Sequence, residues 1–563
     1  MRIEKAETLT DLFQARIQDS PRKIAYRQFE NNDWVNYTWQ ETAENVVRWQ
    51  AALKSENLEP GDRVGICLQN HYEWMLFEQA ALAMGLVVVP LFYNDRPDNM
   101  AWCLEDAGTK FLFLGDGAVW PQMSDHATTI QRVVCFQNTP DGDNKVIALA
   151  DWLPKAGSGA GIEAVDAKPD TLATIVYTSG TTGKPKGVML THNNIAYDVS
   201  ALLAGCPEID GDDLFLSFLP LSHMFERTVG YYVAMAAGAQ TTYARSVLDL
   251  AEDMVSQKPT IMVCVPRIFE RVYTKVQDGL GTSKLKRFLF ENAYRLGWLR
   301  FRGHISFLQS FFWPILDKLV GKKVRSRFGG RIRFVLIGGA PMPTHLFEVF
   351  MGLGINFLHG YGLTETSPVI TFNQVHDNEP LSVGNKLTGV DVKLGEADEL
   401  MVRGPIIMKG YWNNEKATAD CITDGWFHTG DIARLEGKRV FITGRVKDII
   451  VLSNGEKVSP TDAEQAITTD PAFEQAMVIG EGRTKLALLV VTSLTDLKEI
   501  SKRANKQLHD FPGYAKICYV LRADEAWSIE NGLMTPTLKL KRKEIEKRYA
   551  SEIEAMYAGE DLC

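Results

Sequence analysis

The sequence predicts an α/β protein. A large N-terminal domain of helix-covered sheets carries a β-rich subdomain and precedes a small α+β C-terminal domain. Through the first two-thirds of the chain, apolar strand-like runs alternate with helical patterns, which is typical of parallel sheets covered by helices. After about Val390, short segments such as DELMVRG and RVFITG are separated by tight turns, which indicates hairpins. From Asp448 onward, strand and helix patterns mix again.

The N-terminal domain is predicted from a series of apolar runs, each about the length of a buried strand. VGICL at 64–68 precedes a helical pattern, and LVVVPLF follows at 86–92. Further strands are expected at 111–114, 133–136, 214–219, 261–265 and 334–337. We therefore expect residues 1–444 to form the N-terminal domain and residues 448–563 the C-terminal domain.

Composition and charge exclude several classes of protein. The chain has 563 residues and a net charge of -9, which argues against a general nucleic-acid binder. Its eight cysteines are scattered with no CxxC pair, so we expect no zinc site, no disulfide framework and a reducing, cytoplasmic location. The N-terminus lacks the apolar core of a signal peptide. The longest apolar run, 81–92, falls short of the ~20 residues of a membrane span.

A loop rich in glycine and hydroxyl side chains follows a buried-strand pattern. Residues 177–187 read YTSGTTGKPKG. The glycines permit positive φ, and the hydroxyls, N–H groups and lysines can surround a polyphosphate. The spacing differs from that of a Walker A loop, and a polar surface turn is the alternative. The residues predicted to bind ATP here are Thr178, Ser179, Gly180, Thr181, Thr182, Gly183 and Lys186.

A second element pairs RFVLIGGAP at 333–341 with HGYGLTETSP at 359–368. Gly338 and Gly339 leave flat backbone on which a planar ring can lie, and Tyr361 can pack against adenine. The residues predicted to bind ATP in this element are Gly339, Ala340, Gly360, Tyr361, Gly362 and Thr364.

The Thr-Glu pair of this element suits phosphate and metal. Thr364 can hydrogen-bond an α-phosphate. Glu365 is the expected Mg²⁺ ligand, because magnesium takes oxygen ligands from carboxylates and substrate phosphates. The alternative for such a pair is a helix cap.

Two further elements complete the predicted site. In WFHTGDIARLEGKRVFITGRVKD, the carboxylate of Asp431 can accept hydrogen bonds from both ribose hydroxyls, with Arg445 beside it. The alternative is an ordinary hairpin with a surface Asp and Arg. In LMTPTLKLKRKE, Lys539 can neutralise the charge that builds on an α-phosphate during attack by a carboxylate.

These four motifs closely resemble those of the adenylate-forming superfamily, and bacterial long-chain fatty-acid–CoA ligases are the most similar subgroup. The resemblance implies that Lys539 is the catalytic lysine, although Leu538 stands where the family usually has glycine. It also implies a hinge at 445–447, centred on Lys447, about which a mobile C-terminal domain rotates. The implied reaction uses ATP, Mg²⁺ and CoA to convert a long-chain fatty acid to acyl-CoA through an acyl-adenylate, releasing pyrophosphate and AMP.

The segment LPLSHMFERTVG supports this subgroup. By resemblance, His223 and Phe225 line the acyl site. Arg227 is assigned to the same site, near the position where some members place an aromatic gate residue. For His223 the alternative is a histidine satisfied in the core.

Residues 283–333 are rich in cations and aromatic side chains, with Glu291 and Asp317 as the acidic residues. This stretch is predicted either to make peripheral membrane contact at the inner face of the membrane or to form a helical pair docked on the sheet. The oligomeric state is open, and a homodimer is compatible with the sequence.

Rival functions are an acyl-AMP ligase that loads a carrier protein and a CoA ligase for a medium-chain or aryl acid. A nucleotide-binding regulator or membrane scaffold is the non-enzymatic alternative. The joint presence of Glu365, Asp431, Arg445 and Lys539 argues against the last of these.

Overall fold

The computed structural model describes residues 6–155, 161–178, 184–446, 449–509, 511–535 and 539–563. Its strands are β1 (Ile24–Glu30), β2 (Asp33–Thr38), β3 (Arg63–Cys67), β4 (Val87–Pro90), β5 (Phe111–Asp116), β6 (Arg132–Gln137), β7 (Val146–Ala148), β8 (Leu172–Thr178), β9 (Lys186–Thr191), β10 (Leu214–Ser217), β11 (Gln240–Tyr243), β12 (Ile261–Cys264), β13 (Phe334–Ile337), β14 (Phe357–Gly362), β15 (Val369–Phe372), β16 (Asn385–Lys386), β17 (Asp391–Leu394), β18 (Glu399–Arg403), β19 (Gly410–Tyr411), β20 (Ile422–Thr423), β21 (Trp426–Glu436), β22 (Arg439–Arg445), β23 (Ile450–Val451), β24 (Lys457–Val458), β25 (Phe473–Ile479), β26 (Leu486–Thr492) and β27 (Ile517–Arg522).

The α-helices are α1 (Leu9–Asp19), α2 (Trp39–Lys54), α3 (Tyr72–Ala83), α4 (Pro97–Ala107), α5 (Leu149–Trp152), α6 (His192–Gly205), α7 (Val233–Ala237), α8 (Leu250–Gln257), α9 (Pro266–Leu280), α10 (Lys284–Phe301), α11 (Phe307–Leu316), α12 (Lys322–Arg327), α13 (Thr344–Gly352), α14 (Glu415–Cys421), α15 (Pro460–Thr468), α16 (Leu497–Gln507), α17 (Arg542–Arg548) and α18 (Ala550–Tyr557). Two π-helical turns, Glu226–Tyr232 and Asp317–Gly321, continue directly into α7 and α12.

The largest sheet joins the N-terminal core to the β-rich region. Strands β1, β11, β10, β12, β13 and β14 run parallel in this order, which confirms the expected parallel sheet. From β14 the sheet continues antiparallel through β15, β16, β22, β21, β18 and β17. The hairpins expected after Val390 are present as β17–β18 and β21–β22.

A second sheet has the strand order β19-β9-β8-β4-β3-β5-β6-β7 and is parallel from β8 to β7. Helix α3 packs against α1, α2 and β4. Its sequence, YEWMLFEQAALA, is apolar around most of its circumference, and nearly every residue is buried. The strand runs expected at 64–68, 86–92, 111–114 and 133–136 correspond to β3, β4, β5 and β6.

The C-terminal segment has its own core. Strand β26 pairs antiparallel with β25 and parallel with β27, and α15 and α16 pack on these strands. Among the described residues, the two apolar clusters of this segment contain only residues from 450–562. The α/β class with a smaller α+β unit is therefore confirmed.

The expectation that the cysteines form no disulfide is wrong for one pair. Cys518 in β27 is bonded to Cys563, which lies 45 residues further along the chain. The C-terminal tail folds back on β27, where the Leu562 N–H donates a hydrogen bond of 2.9 Å to the Cys518 carbonyl. Because the tertiary fold brings the two thiols together, no short sequence spacing indicates this pairing.

Arg227, expected at the acyl site, lies instead in the core. The π-helical turn directs its fully buried guanidinium toward α3, where Nε donates to Glu78 Oε1 at 2.7 Å. Nη1 donates to Thr174 Oγ1 at 2.9 Å, and the Tyr232 hydroxyl donates to the same Glu78 oxygen at 2.8 Å. Burial acts to lower the pKa of Arg227, but the Glu78 carboxylate and the neighbouring tyrosines raise it above its ordinary value.

We expect Arg227→Ala to destabilise the protein strongly, because it leaves Glu78 buried without its cation. Breaking such a pair typically costs about 3–5 kcal/mol in the free energy of unfolding. The measurement is the midpoint of urea denaturation followed by circular dichroism.

A matched control is Arg548→Ala, which removes a guanidinium from an exposed pair with Glu525 at 2.6 Å. That loss is expected to stay within about 1 kcal/mol. Equal losses in the two variants would show that the buried pair does not contribute as inferred.

Candidate functional site

A cleft of about 2130 Å³ lies at the carboxyl ends of the parallel strands of the largest sheet. Its walls come from the segments after β10, β12, β13 and β14, from the β21–β22 hairpin, and from residues within 531–535 and 539–548 of the C-terminal segment. The predicted site residues that line it are Thr178, Lys186, His223, Phe225, Gly339, Ala340, Gly360, Tyr361, Gly362, Thr364, Glu365, Asp431, Arg445 and Lys539. Arg227 does not line this cleft.

The described ends of the glycine-rich loop lie on the second sheet and line the cleft. Thr178 at the end of β8 pairs directly with Lys186 at the start of β9, so the loop leaves the sheet and returns at opposed positions. Its residues Ser179, Gly180, Thr181, Thr182 and Gly183 lie outside the described part of the chain, as does Lys447.

The carboxylate of Asp431 connects two walls of the cleft. It accepts a hydrogen bond from the Tyr361 hydroxyl at 2.5 Å and one from Arg445 Nε at 2.7 Å. The β21–β22 register sets Asp431 opposite Arg445. Asp431 is buried, and burial together with this carboxylate raises the pKa of Tyr361 well above its usual value. The remaining lone pairs of the carboxylate leave room for further donors such as a diol.

Two glycines keep the adjoining wall thin. Gly339 has a φ of +79°, a region that favours glycine. A Cβ on Gly362 would lie 1.6 Å from the Pro368 carbonyl oxygen, so no other residue fits there without movement. Between them, the Phe225 ring lies close to Gly338, 3.2 Å from the position that a Cβ would take.

Glu365 is joined to the glycine-rich loop through Tyr411, a residue that the sequence motifs did not indicate. The Tyr411 hydroxyl donates to Glu365 Oε1 at 2.9 Å, and Lys186 Nζ lies 4.9 Å from the centre of the Tyr411 ring. The other carboxylate oxygen of Glu365, Oε2, does not accept a hydrogen bond from Tyr411. A carboxylate oxygen that lines such a cleft is a ligand that suits a hard cation such as Mg²⁺.

Lys539 reaches the same cleft from the C-terminal segment. Its N–H donates to Thr535 Oγ1 at 3.0 Å, and its carbonyl accepts from the Thr535 N–H at 2.8 Å. Its surface is open to water inside the cleft, yet the surrounding protein lowers the pKa of Lys539, and Arg445 lowers it further. The carboxylates of Asp431 and Glu365 raise the pKa of Lys539. All four charged side chains are therefore close enough to influence one another electrostatically.

His223 and Phe225 occupy the wall after β10. Burial and, to a lesser extent, the charge of Lys539 together lower the pKa of His223 to about 4, so the imidazole is neutral at neutral pH. The Phe225 N–H donates to His223 Nδ1 at 3.2 Å, which leaves the ring proton on Nε2. His223 therefore lines the cleft and has a fixed tautomer. A histidine satisfied only in the core would not line the cleft.

Part of the cleft lining is apolar. The side chains of this part come from α6 and the segment after it, the π-helical turn, α7 and β15, and all are buried: Leu202, Cys206, Ile209, Val229, Val233 and Phe372. Their positions are scattered over 170 residues of sequence, so a motif search could not have assembled them.

Comparison with known proteins identifies the family. The model of the AMP-binding enzyme family matches residues 13–412, and that of the AMP-binding enzyme C-terminal domain matches residues 447–561. The long-chain-fatty-acid–CoA ligase FadD15 of Mycobacterium tuberculosis is 30% identical, with 96% of each chain covered. Long chain acyl-CoA synthetase 7, peroxisomal, of Arabidopsis thaliana is 30% identical, covering 93% of this chain and 82% of that one.

Solved structures share the fold. The anthranilate CoA ligase AuaEII in complex with anthranoyl-AMP gives a TM-score of 0.76 at 15% identity, with 96% of this chain and 97% of that chain covered. ATP-bound MatB from Rhodopseudomonas palustris gives 0.73 at 22% identity, with 96% and 99% covered. The resemblance in the sequence motifs is thus confirmed, and the chain belongs to the AMP-binding enzyme family.

Proposed function

We propose that this enzyme converts a long-chain fatty acid to its acyl-CoA in two steps, consuming ATP and releasing pyrophosphate and AMP. The observation that carries the proposal is the joint presence of Glu365, Asp431, Arg445 and Lys539 in one cleft. That set offers a metal ligand, a diol acceptor and a cation for phosphate. The proposed division is an N-terminal domain at 1–444, a hinge at 445–447 and a C-terminal domain at 448–563.

In the first step, a carboxylate oxygen of the fatty acid attacks the α-phosphorus, and the bond to pyrophosphate breaks. Lys539 stabilises the negative charge that grows on the α-phosphate oxygens, with the Thr364 hydroxyl as a donor beside it. Asp431 and Arg445 hold the ribose, and Tyr361 and the backbone at 338–340 hold the adenine. A magnesium ion at Glu365 would neutralise phosphate charge when bound.

In the second step, the CoA thiol loses its proton and its sulfur attacks the acyl carbonyl, which expels AMP. Lys539 must leave the cleft to make room for the thiol. The separate core of the C-terminal segment supports a rotation about Lys447, because that segment can move without opening the N-terminal core.

Long-chain specificity is supported by the apolar wall formed by the six residues named above. A chain of methylene groups gains free energy from leaving water, and buried side chains of this kind provide the surface that it needs. Relatives named as long-chain ligases agree with this assignment. A cytoplasmic location remains part of the proposal.

The chain-length preference is the direct test. We expect long-chain acids to give higher CoA-dependent AMP release than short-chain acids, because an apolar wall of this kind rewards each added buried methylene. Val229→Phe should shift the optimum to shorter acids while leaving a short acid active, since the larger ring fills the wall. Val247→Phe, at an exposed position on the cleft, is the matched control. An unchanged optimum in Val229→Phe would remove this wall from the acyl site.

The same assay separates the rival functions by acceptor. A relative named as a long-chain-fatty-acid–[acyl-carrier-protein] ligase is 26% identical. Thioester formation is therefore measured with CoA and with an acyl carrier protein. Turnover with the carrier alone would replace the proposed acceptor, and failure to release pyrophosphate with any acid would exclude the enzyme.

Lys539→Ala is expected to slow adenylation by about 10²–10³-fold, because one preorganised donor to the developing charge is lost. Thioester formation from supplied acyl-adenylate should be largely retained. The two half-reactions are measured by pyrophosphate release and by acyl-CoA formation.

Two variants serve as controls for this split. Lys541→Ala removes a nearby lysine of the same segment and should leave adenylation close to wild type. Lys447→Pro should show the reverse pattern, because proline fixes φ near -65° at the proposed hinge and adenylate then accumulates. Equal losses of both half-reactions in Lys539→Ala would contradict the assigned role.

Glu365→Gln is expected to raise the Mg²⁺ concentration that gives half-maximal pyrophosphate release. The amide preserves the shape and the hydrogen bond from Tyr411 but lacks the charge that a hard cation prefers. Tyr411→Phe, which leaves the carboxylate in place, should change this concentration much less. An unchanged requirement in Glu365→Gln would mean that the ion binds elsewhere.

A further inference from the structure

Helix α11 presents large apolar side chains to solvent. None of its residues is buried, and Phe307, Leu308, Phe311, Phe312 and Ile315 are between 53% and 90% exposed. Their spacing places them on one side of the helix. Leu285 and Phe288 of α10 are also more than 60% exposed. Single exposed apolar residues are ordinary, but a contiguous group of this size marks an interaction surface.

The surface is held firmly on the protein. Ser306 and Gln309 form a capping box at the start of α11, and Arg300 of α10 lies 4.0 Å from the centre of the Trp313 ring. Helix α10 is itself anchored on α13, where Gly297 and Gly352 meet so closely that a Cβ on Gly297 would lie 1.8 Å from the Gly352 carbonyl oxygen. The exposed face is therefore part of an ordered helical pair.

Exposed cations lie on the elements next to α11 in the chain. Arg325 is paired with Asp317 and Arg302 with Glu379. The lysines of α10, of the π-helical turn Asp317–Gly321 and of α12 have no ion-pair partner among the described residues. All of them are exposed: Lys284, Lys286, Lys318, Lys322 and Lys323. The local charge is strongly positive although the whole chain carries -9.

We infer that α10, α11 and the turn into α12 form a docking surface for an anionic lipid bilayer, with the apolar face of α11 inserted at the headgroup boundary. Such an amphipathic segment gains from burying apolar side chains and from attraction between its cations and anionic headgroups. A second copy of this chain fits less well, because two such faces would bring like charges together. No helix in the described ranges is both long and apolar enough to cross a membrane, so contact would be peripheral.

The test is co-sedimentation of the full chain with vesicles of phosphatidylglycerol and phosphatidylcholine, compared with phosphatidylcholine alone. We expect binding to the anionic vesicles at low salt and weaker binding at high salt, because headgroup attraction is screened beyond a Debye length. Protein that stays in the supernatant with anionic vesicles at low salt would overturn the inference. So would equal binding to both vesicle types at both salt concentrations.

Two variants locate the surface. Phe307→Ser with Phe311→Ser is expected to reduce the vesicle partition coefficient at least about tenfold, since both rings lose their apolar burial. Leu248→Ser with Leu497→Ser, which removes exposed leucines elsewhere, is the control. Lys322→Glu with Lys323→Glu should likewise weaken vesicle binding. The control is Lys502→Glu with Lys506→Glu on α16, which changes the net charge by the same amount at another place. Equal effects of test and control variants would overturn the assignment.

Self-association is measured without lipid by sedimentation velocity. A dimer that Phe307→Ser with Phe311→Ser dissociates would show that the face joins two copies instead. The inference does not depend on the acyl substrate: adenylation of a water-soluble short acid should be unchanged in this variant, since neither residue lines the cleft. Loss of that activity would indicate misfolding, and the Leu285→Ser variant would then repeat the vesicle assay.

Discussion

The carboxylate of Asp431 is the contact on which the geometry of the site depends. It is a buried charge, and burying a charge is costly unless it is paired and hydrogen-bonded. Tyr361 and Arg445 satisfy that requirement from two directions. Tyr361 belongs to β14 of the parallel sheet, whereas Arg445 ends β22 of the β-rich region. One carboxylate thus connects the two walls of the cleft.

The same carboxylate also determines where the C-terminal segment starts. Arg445 is the last residue of β22, and the Val446 N–H donates to the Gly430 carbonyl at 2.8 Å. The chain therefore leaves the hairpin from a fixed point next to the site. The proposed rotation of the following segment would move Lys539 and the wall that this segment provides, while the walls formed by the N-terminal part of the chain would stay in place. On this proposal a single cleft would present two sets of groups in turn.

The described motif residues lie in one cleft, and their roles there stay predictions. Sequence reasoning could single these residues out because each motif is short and local. The TGD motif at 429–431 and the GR motif at 444–445 belong to one hairpin, and the sequence of the glycine-rich loop directly follows one strand. The strand pattern alone therefore indicated where these motifs stand relative to the strands. The partner of Arg227 could not be predicted in this way. Glu78 lies 149 residues earlier, and only the packing of the π-helical turn on α3 brings the two charges together. The Cys518–Cys563 bond and the position of Tyr411 depend on tertiary structure in the same manner.

The exposed face of α11 shows a different limit of sequence reasoning. A run such as FLQSFFWPIL has the composition of a core helix, and its periodicity alone cannot tell whether the apolar side meets protein or solvent. Two observations from the structure decide it: α10 packs on α13 and buries Phe290 and Ala293, and α11 packs on α10 with none of its own residues buried. With the core complete beneath it, the apolar side of α11 can only face outward. An ordered helix that keeps such a face, next to helices that carry exposed lysines, is more costly in water than at a boundary between water and lipid.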